Sequence, residues 1–326
     1  MSHEMLQNDE MFSVREAPWH MGLGTNVLIL DSSPETRMQR MVAAGHDWTV
    51  EEHSMVDDET FDPVEGWKRL VRSDDATTLY CTQESYTVVQ NIVGHEIFEA
   101  LIEGGTLIDA TGGTTRGGRM CYLQGKLDEP RFVVGDTSPS YPYTGVLWSH
   151  DMSTGLVALE GIIRMVCQNT IKLAELMSKK SGRLYSWKHT ANVLEKIDEC
   201  KAIIRGASAN ALQYIEICNE LGLLEMGMRE REQFIKMMIP EPPAAYISDR
   251  VKKNIDEARL DLASLFLTDT IPDAHKNTGY GMLSAGIEYL DHVRSYQSMD
   301  TYIGRTLLKV EPLKKRLVPI IRELAR

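Results

Sequence analysis

The chain has 326 residues and a formal net charge of −12, with 43% hydrophobic and 25% charged side chains. This is ordinary globular composition with no low-complexity segment and no internal repeat. No apolar run approaches the roughly eighteen residues a membrane span needs, and the acidic opening Met1–Phe12 lacks the basic and apolar regions of a secretory signal.

Residues 1–75 read as short elements and turns. Pro18–Gly24 is a turn-rich aromatic segment, Thr49 and Val50 begin a strand, and Asp57, Asp58 and Glu59 form a solvated loop. Trp67–Arg72 leads into a further strand at Leu79–Cys81. Apolar residues from Ile92 to Ile102 recur at helical spacing and predict a helix that Gly104-Gly105 ends. Four β-like pieces follow, at Thr106–Thr111, Arg119–Gly125, Arg131–Gly135 and Thr144–Ser149. The first two are joined by a glycine-dense tip, Gly112–Gly118, which with Arg119 presents two arginines. Leu159, Ile162, Ile163, Val166, Thr170, Leu173 and Met177 predict a long helix to about Gly182. From Val193 to Leu221 apolar residues repeat at threes and fours, as in a long amphipathic helix. After Pro240, Pro242 and Pro243, Ser248 can cap a helix through Leu265. Another helix runs from Gly279 to Tyr296, and a basic amphipathic tail carries Pro312 and Pro319.

The fold class that follows is α+β, with an antiparallel sheet and a glycine-rich hairpin in the first half and a helical second half. Three parts are expected: an acidic region at 1–75 packed on the core, an α+β core at 76–189, and a helical region at 190–326. The long stripe at 193–221 either joins two copies into a homo-oligomer or packs within its own chain.

The five cysteines, Cys81, Cys121, Cys167, Cys200 and Cys218, are widely spaced and form no CxxC pair. They read as reduced, buried thiols, which fits a cytoplasmic protein. Ser149-His150-Asp151 mimics a hydrolytic triad, but neighbours on a strand point to opposite faces and cannot relay a proton. The histidines show no HxH or HExxH spacing. Asp57, Asp58, Glu59 and Asp62 read as a solvated acidic loop sooner than a magnesium site. No catalytic residue, metal or cofactor is expected from these patterns.

Charge is unevenly spread. Residues 1–75 carry −10, whereas residues 164–205 hold nine Lys/Arg against four Asp/Glu. Local potential decides where a polyanion binds. Lys179, Lys180, Arg183 and Lys188 interleave with Tyr185 and Trp187, the mixture of cations and aromatic rings that single-strand binding uses. Lys172 extends that patch, and Arg116 and Arg119 on the hairpin could neutralise phosphates. A solvated inter-helix loop and a plain flexible turn are the respective alternatives.

The ordered motifs resemble a known family. They are Arg15-Glu16-Ala17-Pro18-Trp19-His20-Met21-Gly22-Leu23-Gly24 (with Met21 as an extra residue), Tyr86–Asn91, Gly117-Gly118-Arg119, Ser149-His150-Asp151, Arg164–Thr170, Lys188-His189-Thr190 and Glu288–His292. From residue 15 to about 310 the chain is similar to the phage- and plasmid-like family called domain of unknown function 932. The resemblance implies a phage or plasmid origin in a bacterial host. The order of elements over 90–178 is also similar to the core of phage single-strand annealing proteins, a fold-level analogy. The function expected is single-stranded DNA binding and annealing in recombination, with no membrane partner. A metal-dependent nucleic-acid or nucleotide enzyme and a non-catalytic phage counter-defence protein are the alternatives.

Overall fold

A computed structural model describes residues 10–15, 27–102, 107–164, 169–172, 185–243, 246, 248–294 and 311–326. Strand β1 (Met11–Val14) is buried at every position and pairs in parallel with β2 (Val27–Leu30). Helix α1 (Arg37–Ala43) starts on a capping box between Thr36 and Gln39. Strands β3 (Val50–Val56), β4 (Pro63–Arg72) and β5 (Thr78–Gln83) make a separate three-stranded antiparallel sheet. Helix α2 (Asn91–Ile102) is fastened to α1 by Arg37 and by Arg40, whose guanidinium reaches Glu99 at 2.8 Å.

Strands β6 (Leu107–Thr115), β7 (Met120–Leu127), β8 (Ser140–Ser149) and β9 (Leu156–Arg164) follow as an antiparallel meander. Strands β10 (Asn169–Lys172) and β11 (Tyr185–Trp187) both pair with β9. The large sheet is thus ordered β10-β9-β8-β7-β6-β1-β2, with β11 beside β10 on the edge of β9. Beyond it the described chain is helical: α3 (Ile197–Gly222), α4 (Met228–Met238), α5 (Asp249–Leu265), α6 (Gly279–Glu288, widening into a π turn over Tyr289–Val293) and α7 (Pro312–Leu324).

The α+β class is therefore as expected, and so are α2, α3 and the Ser248 cap of α5, whose hydroxyl accepts from the Val251 amide. Four particulars differ. The sheet is mixed, because β1 and β2 run parallel; residues 15–26 supply the connection of about a dozen residues that a parallel pair needs. The long helix expected over 159–177 is absent from the described part of that span. Leu156–Arg164 and Asn169–Lys172 are strands instead. A strand buried on both faces carries a continuous apolar run, which periodicity alone confuses with a helix. Arg131–Gly135 is not a strand: Arg131 makes one bridge to Ser140, and the chain turns at Gly135 with φ +82°. Finally, Gly112 and Gly113 sit inside β6 and not at a tip. There β1 lies so close that a Cβ on Gly113 would come 2.5 Å from the Met11 Cβ.

Two cores result. One lies between the large sheet, α2 and the small sheet, built on Phe12, Trp48, Leu70, Val89, Phe98, Leu123 and Trp148. The other joins the helices through Tyr214, Phe234, Phe266, Leu283 and Leu317. Helix α3 enters both, with Cys200 and Ile204 in the first and Tyr214, Cys218 and Leu221 in the second. Its apolar stripe is covered by α2, β8, β9 and α6 of the same chain, so it does not of itself call for a second copy. The small sheet spans the boundary expected at residue 75, since β4 and β5 lie on either side of it. Among the described residues no helix is long and apolar enough to cross a membrane.

The closest approach in the first core is testable. A Cβ on Gly94 of α2 would lie 2.3 Å from the fully buried Trp148 ring. Gly94→Ala is expected to destabilise the protein by about 1–3 kcal/mol through overpacking. Urea unfolding should show a lower midpoint at unchanged slope.

Candidate nucleic-acid interface

The sheet core is held by an unusual set of buried polar groups. The Asn91 side chain, at the start of α2, donates through Nδ2 to the carbonyls of His46 (3.3 Å) and Trp48 (3.1 Å). Its Oδ1 accepts from Trp148 Nε1 (3.1 Å) and His150 Nε2 (3.0 Å), with the Cys121 thiol at 3.6 Å. Cys121, His150 and Asn91 thus form a constellation that resembles a thiol hydrolase site in composition. It is not one in geometry. The thiol and the amide oxygen both face Nε2, and all three residues are closed to solvent. The neighbouring Ser149 and Asp151 are occupied elsewhere. Ser149 Oγ donates to the Thr154 carbonyl, and Asp151 pairs with Arg116 at 3.2 Å.

Carbonyl partners fix the histidine tautomers. His46 Nε2 must donate to the Gly113 carbonyl (3.0 Å), so its Nδ1 accepts from His95 Nε2 (3.0 Å). His189 Nδ1 must donate to the Thr87 carbonyl (3.0 Å), which leaves Nε2 as an acceptor. That nitrogen is buried with no hydrogen-bond partner among the described residues. Burial, the largest cause, pushes the pKa of His46 down to about 4, His95 to about 2 and His150 to about 3, and lowers that of His189. All four imidazoles are neutral at pH 7. Among the described residues no three His, Cys, Asp or Glu side chains converge where a metal ion could sit.

Beside this core lies a cleft of about 870 Å³. It runs along β5, the edge strand of the small sheet, and is closed on the other side by the β8–β9 turn and by Lys188–Ala191. Trp67 and Tyr80 line it and remain 45% and 41% exposed, the kind of rings that offer a face to a flat ligand. Met152 and Lys188 flank the cleft, and His189 and Tyr86 form part of its wall. Tyr86 stacks on the His189 ring at 4.8 Å and is itself pinned by its hydroxyl to the Ser149 carbonyl. Arg69 is exposed on β4 directly opposite Cys81, another lining residue.

The residues expected from sequence to meet DNA fall into three groups. Tyr185, Trp187 and Lys188 are brought to this region by β11. Tyr185 is 48% exposed, whereas Trp187 packs against the sheet core and offers less ring to a ligand. Lys172 pairs with Gly161 and Tyr185 with Ala158, so they stand along one edge of β9 about 10 Å apart, three strand residues. Lys179, Lys180 and Arg183 lie outside the described residues, as does the Pro18-Trp19-His20 motif. Arg116 and Arg119 flank the β6–β7 turn. Arg116 is engaged by Asp151, and Arg119 is exposed. The turn itself is docked: Arg72 Nη1 donates to the Gly117 carbonyl at 3.2 Å, and a Cβ on Gly118 would come 2.7 Å from the Trp48 ring. Those glycines meet protein, not an open surface. Trp67 and Tyr80 escaped the sequence reading, because an aromatic residue on a strand looks the same whether its face is covered or open.

One family model, described as domain of unknown function DUF932, matches residues 78–309. No curated protein and no solved structure matches the chain.

The buried histidines set an acid limit. Each ordinarily titrates near 6.5 and is held neutral well below that in the fold, so the unfolded chain binds more protons once pH drops beneath 6.5. Stability is therefore fully present above about pH 7 and is lost as pH falls from 6.5 toward 5. Each histidine contributes up to about 1.4 kcal/mol per pH unit. Urea unfolding at pH 7.5, 6.0 and 5.0 should give this trend, and a flat profile would contradict the neutral-histidine assignment.

Proposed function

The chain belongs to the DUF932 family, whose name carries no activity, and from the site itself we propose that it binds single-stranded DNA without catalytic turnover. The observation that supports this is the pair of half-exposed rings, Trp67 and Tyr80, lining a cleft with Lys188 at its rim. Sequence-tolerant single-strand binding needs this combination: π faces for successive bases and cations for the backbone. In this reading Lys172 and Lys188 supply phosphate contacts along the edge of β9, and Lys179, Lys180 and Arg183, which lie outside the described residues, add to them. Tyr185 stacks a base beside it, and Arg119 on the β6–β7 turn extends it. Arg116 and Trp187, engaged with protein, take a smaller part. The acidic first 75 residues keep duplex and non-specific polyanions at a distance while the local basic edge captures a flexible strand. Annealing follows if the bases are held extended and released as duplex, and self-association along the strand belongs to the same proposal. A phage or plasmid setting in a bacterial cytoplasm is where such an activity serves recombination.

Charge and stacking separate experimentally, because only the former depends on salt. Fluorescence anisotropy with single-stranded and duplex oligonucleotides at low and moderate salt should show preference for the single strand. Trp67→Ala should weaken binding by about 1–3 kcal/mol at every salt concentration. Lys188→Glu and the pair Lys179→Glu with Lys180→Glu should act mainly at low salt, each lost phosphate contact lowering the salt slope by roughly 0.7. Folded variants that bind as the wild type does would end this reading. Light scattering with and without DNA reads the self-association.

A further inference from the structure

The hydrogen bond that fixes the His189 tautomer also says what its other nitrogen can accept. Nδ1 donates to the Thr87 carbonyl at 3.0 Å, and the Thr87 amide in turn donates to the His189 carbonyl at 3.1 Å, so the residue is clamped from both sides. Tyr86 is stacked on the ring at 4.8 Å and nearly parallel to it. Nε2 therefore carries a lone pair, in a side chain whose residue is only 8% exposed, and among the described residues it has no donor within reach. An unpaired buried acceptor costs about 1–3 kcal/mol relative to a satisfied one. Most buried polar atoms have partners; His95 Nδ1 and His150 Nδ1 also have none among the described residues but belong to residues fully enclosed in the core, whereas His189 lines the cleft that a ligand could enter. His189 belongs to the wall of the cleft whose other sides carry Trp67 and Tyr80.

We propose that this cleft takes up one unpaired nucleobase, and that His189 Nε2 accepts a hydrogen bond from a ring N–H or exocyclic amine on the edge of that base. The inference rests on the single-strand reading above and gives His189 a positioning role in it. The base lies against one of the two rings, Trp67 or Tyr80, which the pairing of β4 with β5 puts on opposite faces of the small sheet; its sugar and phosphates stay outside near Lys188, and its edge faces the imidazole. Nε2 is closed to water, so entry displaces lining side chains; Met152, unbranched and 56% exposed, is the most adaptable of them. A ligand edge with acceptors alone gains nothing from this wall. Duplex DNA is refused, since its base edges are already paired.

Thymine presents a single ring donor, N3–H, and provides the test. An oligothymidylate of about 16 nucleotides, the upper end of single-strand site sizes, is compared with the same length of 2,4-difluorotoluene deoxynucleotide, which keeps the shape of thymine and lacks the donor. Wild-type protein should bind the thymine strand roughly ten-fold more tightly, the worth of one buried hydrogen bond. His189→Phe, which keeps a ring against Tyr86 but has no nitrogen, should bind the two strands equally. Equal binding of both strands by the wild type, with Trp67→Ala still weakening both, overturns this inference and leaves the DNA reading in place. A preference that survives in His189→Phe overturns the role of His189. Failure of the wild type to bind either strand overturns the inference and the DNA reading together. The wild-type comparison decides even if His189→Phe folds poorly.

Discussion

A single buried amide ties together segments that are far apart in the chain. Asn91 reaches the carbonyls of His46 and Trp48, the indole of Trp148 and the imidazole of His150 at once, and the Cys121 thiol stands against it. It therefore fixes the start of α2, the entry to the small sheet, β7 and the end of β8 relative to one another. In a low-dielectric interior each of these groups would be costly if left unpaired, and the bonds that Asn91 collects tie the segments to one arrangement. The His46 and Trp48 carbonyls lie between α1 and β3, so the same amide also sets where the small sheet sits on the large one. The wall of the cleft inherits its position from this arrangement: Tyr86 holds the Ser149 carbonyl, one residue from His150.

The site then follows from where charge is absent as much as from where it is present. His189 in the wall of the cleft is neutral, so it contributes a lone pair and a ring face and no charge. Positive charge stands at the rim, with Lys188, and the nearby Arg116 is compensated by Asp151. Such a division suits a polymer whose charge lies on its backbone and whose distinguishing groups are flat and neutral. A net charge of −12 does not conflict with the proposed reading, because binding of such a polymer requires only a local basic edge.

Much of the fold was legible in the sequence, and the reasons for the misses are specific. Helices α3 and α5 announced themselves by apolar spacing, and Ser248 marked its cap. Strand β9 was misread because Leu156–Ile162 is buried on both faces, with α3 on one of them, and so lacks the alternation that a half-exposed strand shows. Gly112 and Gly113 looked like a turn because only the neighbouring strand β1 reveals why a side chain cannot be there. The histidine and Asn91 network left no local trace. Its partners are 49 to 59 residues apart for His46–His95 and Asn91–His150, and no spacing rule spans such distances. Tyr185 and Lys188 were picked out by composition; Trp67 and Tyr80 required knowing which rings stay uncovered.

Helix α3 has a further meaning for the molecule. It is one continuous 26-residue rod with its first turns in the sheet core and its later turns in the helical core. The two cores share a beam, and neither closes without it. A fragment cut at the sheet's last strand would lose Cys200 and Ile204 from beneath α2, and a fragment begun after the helix would lose Tyr214 and Leu221. The protein therefore has two hydrophobic centres but no natural severing point between them, and its halves are bound to melt as one cooperative unit.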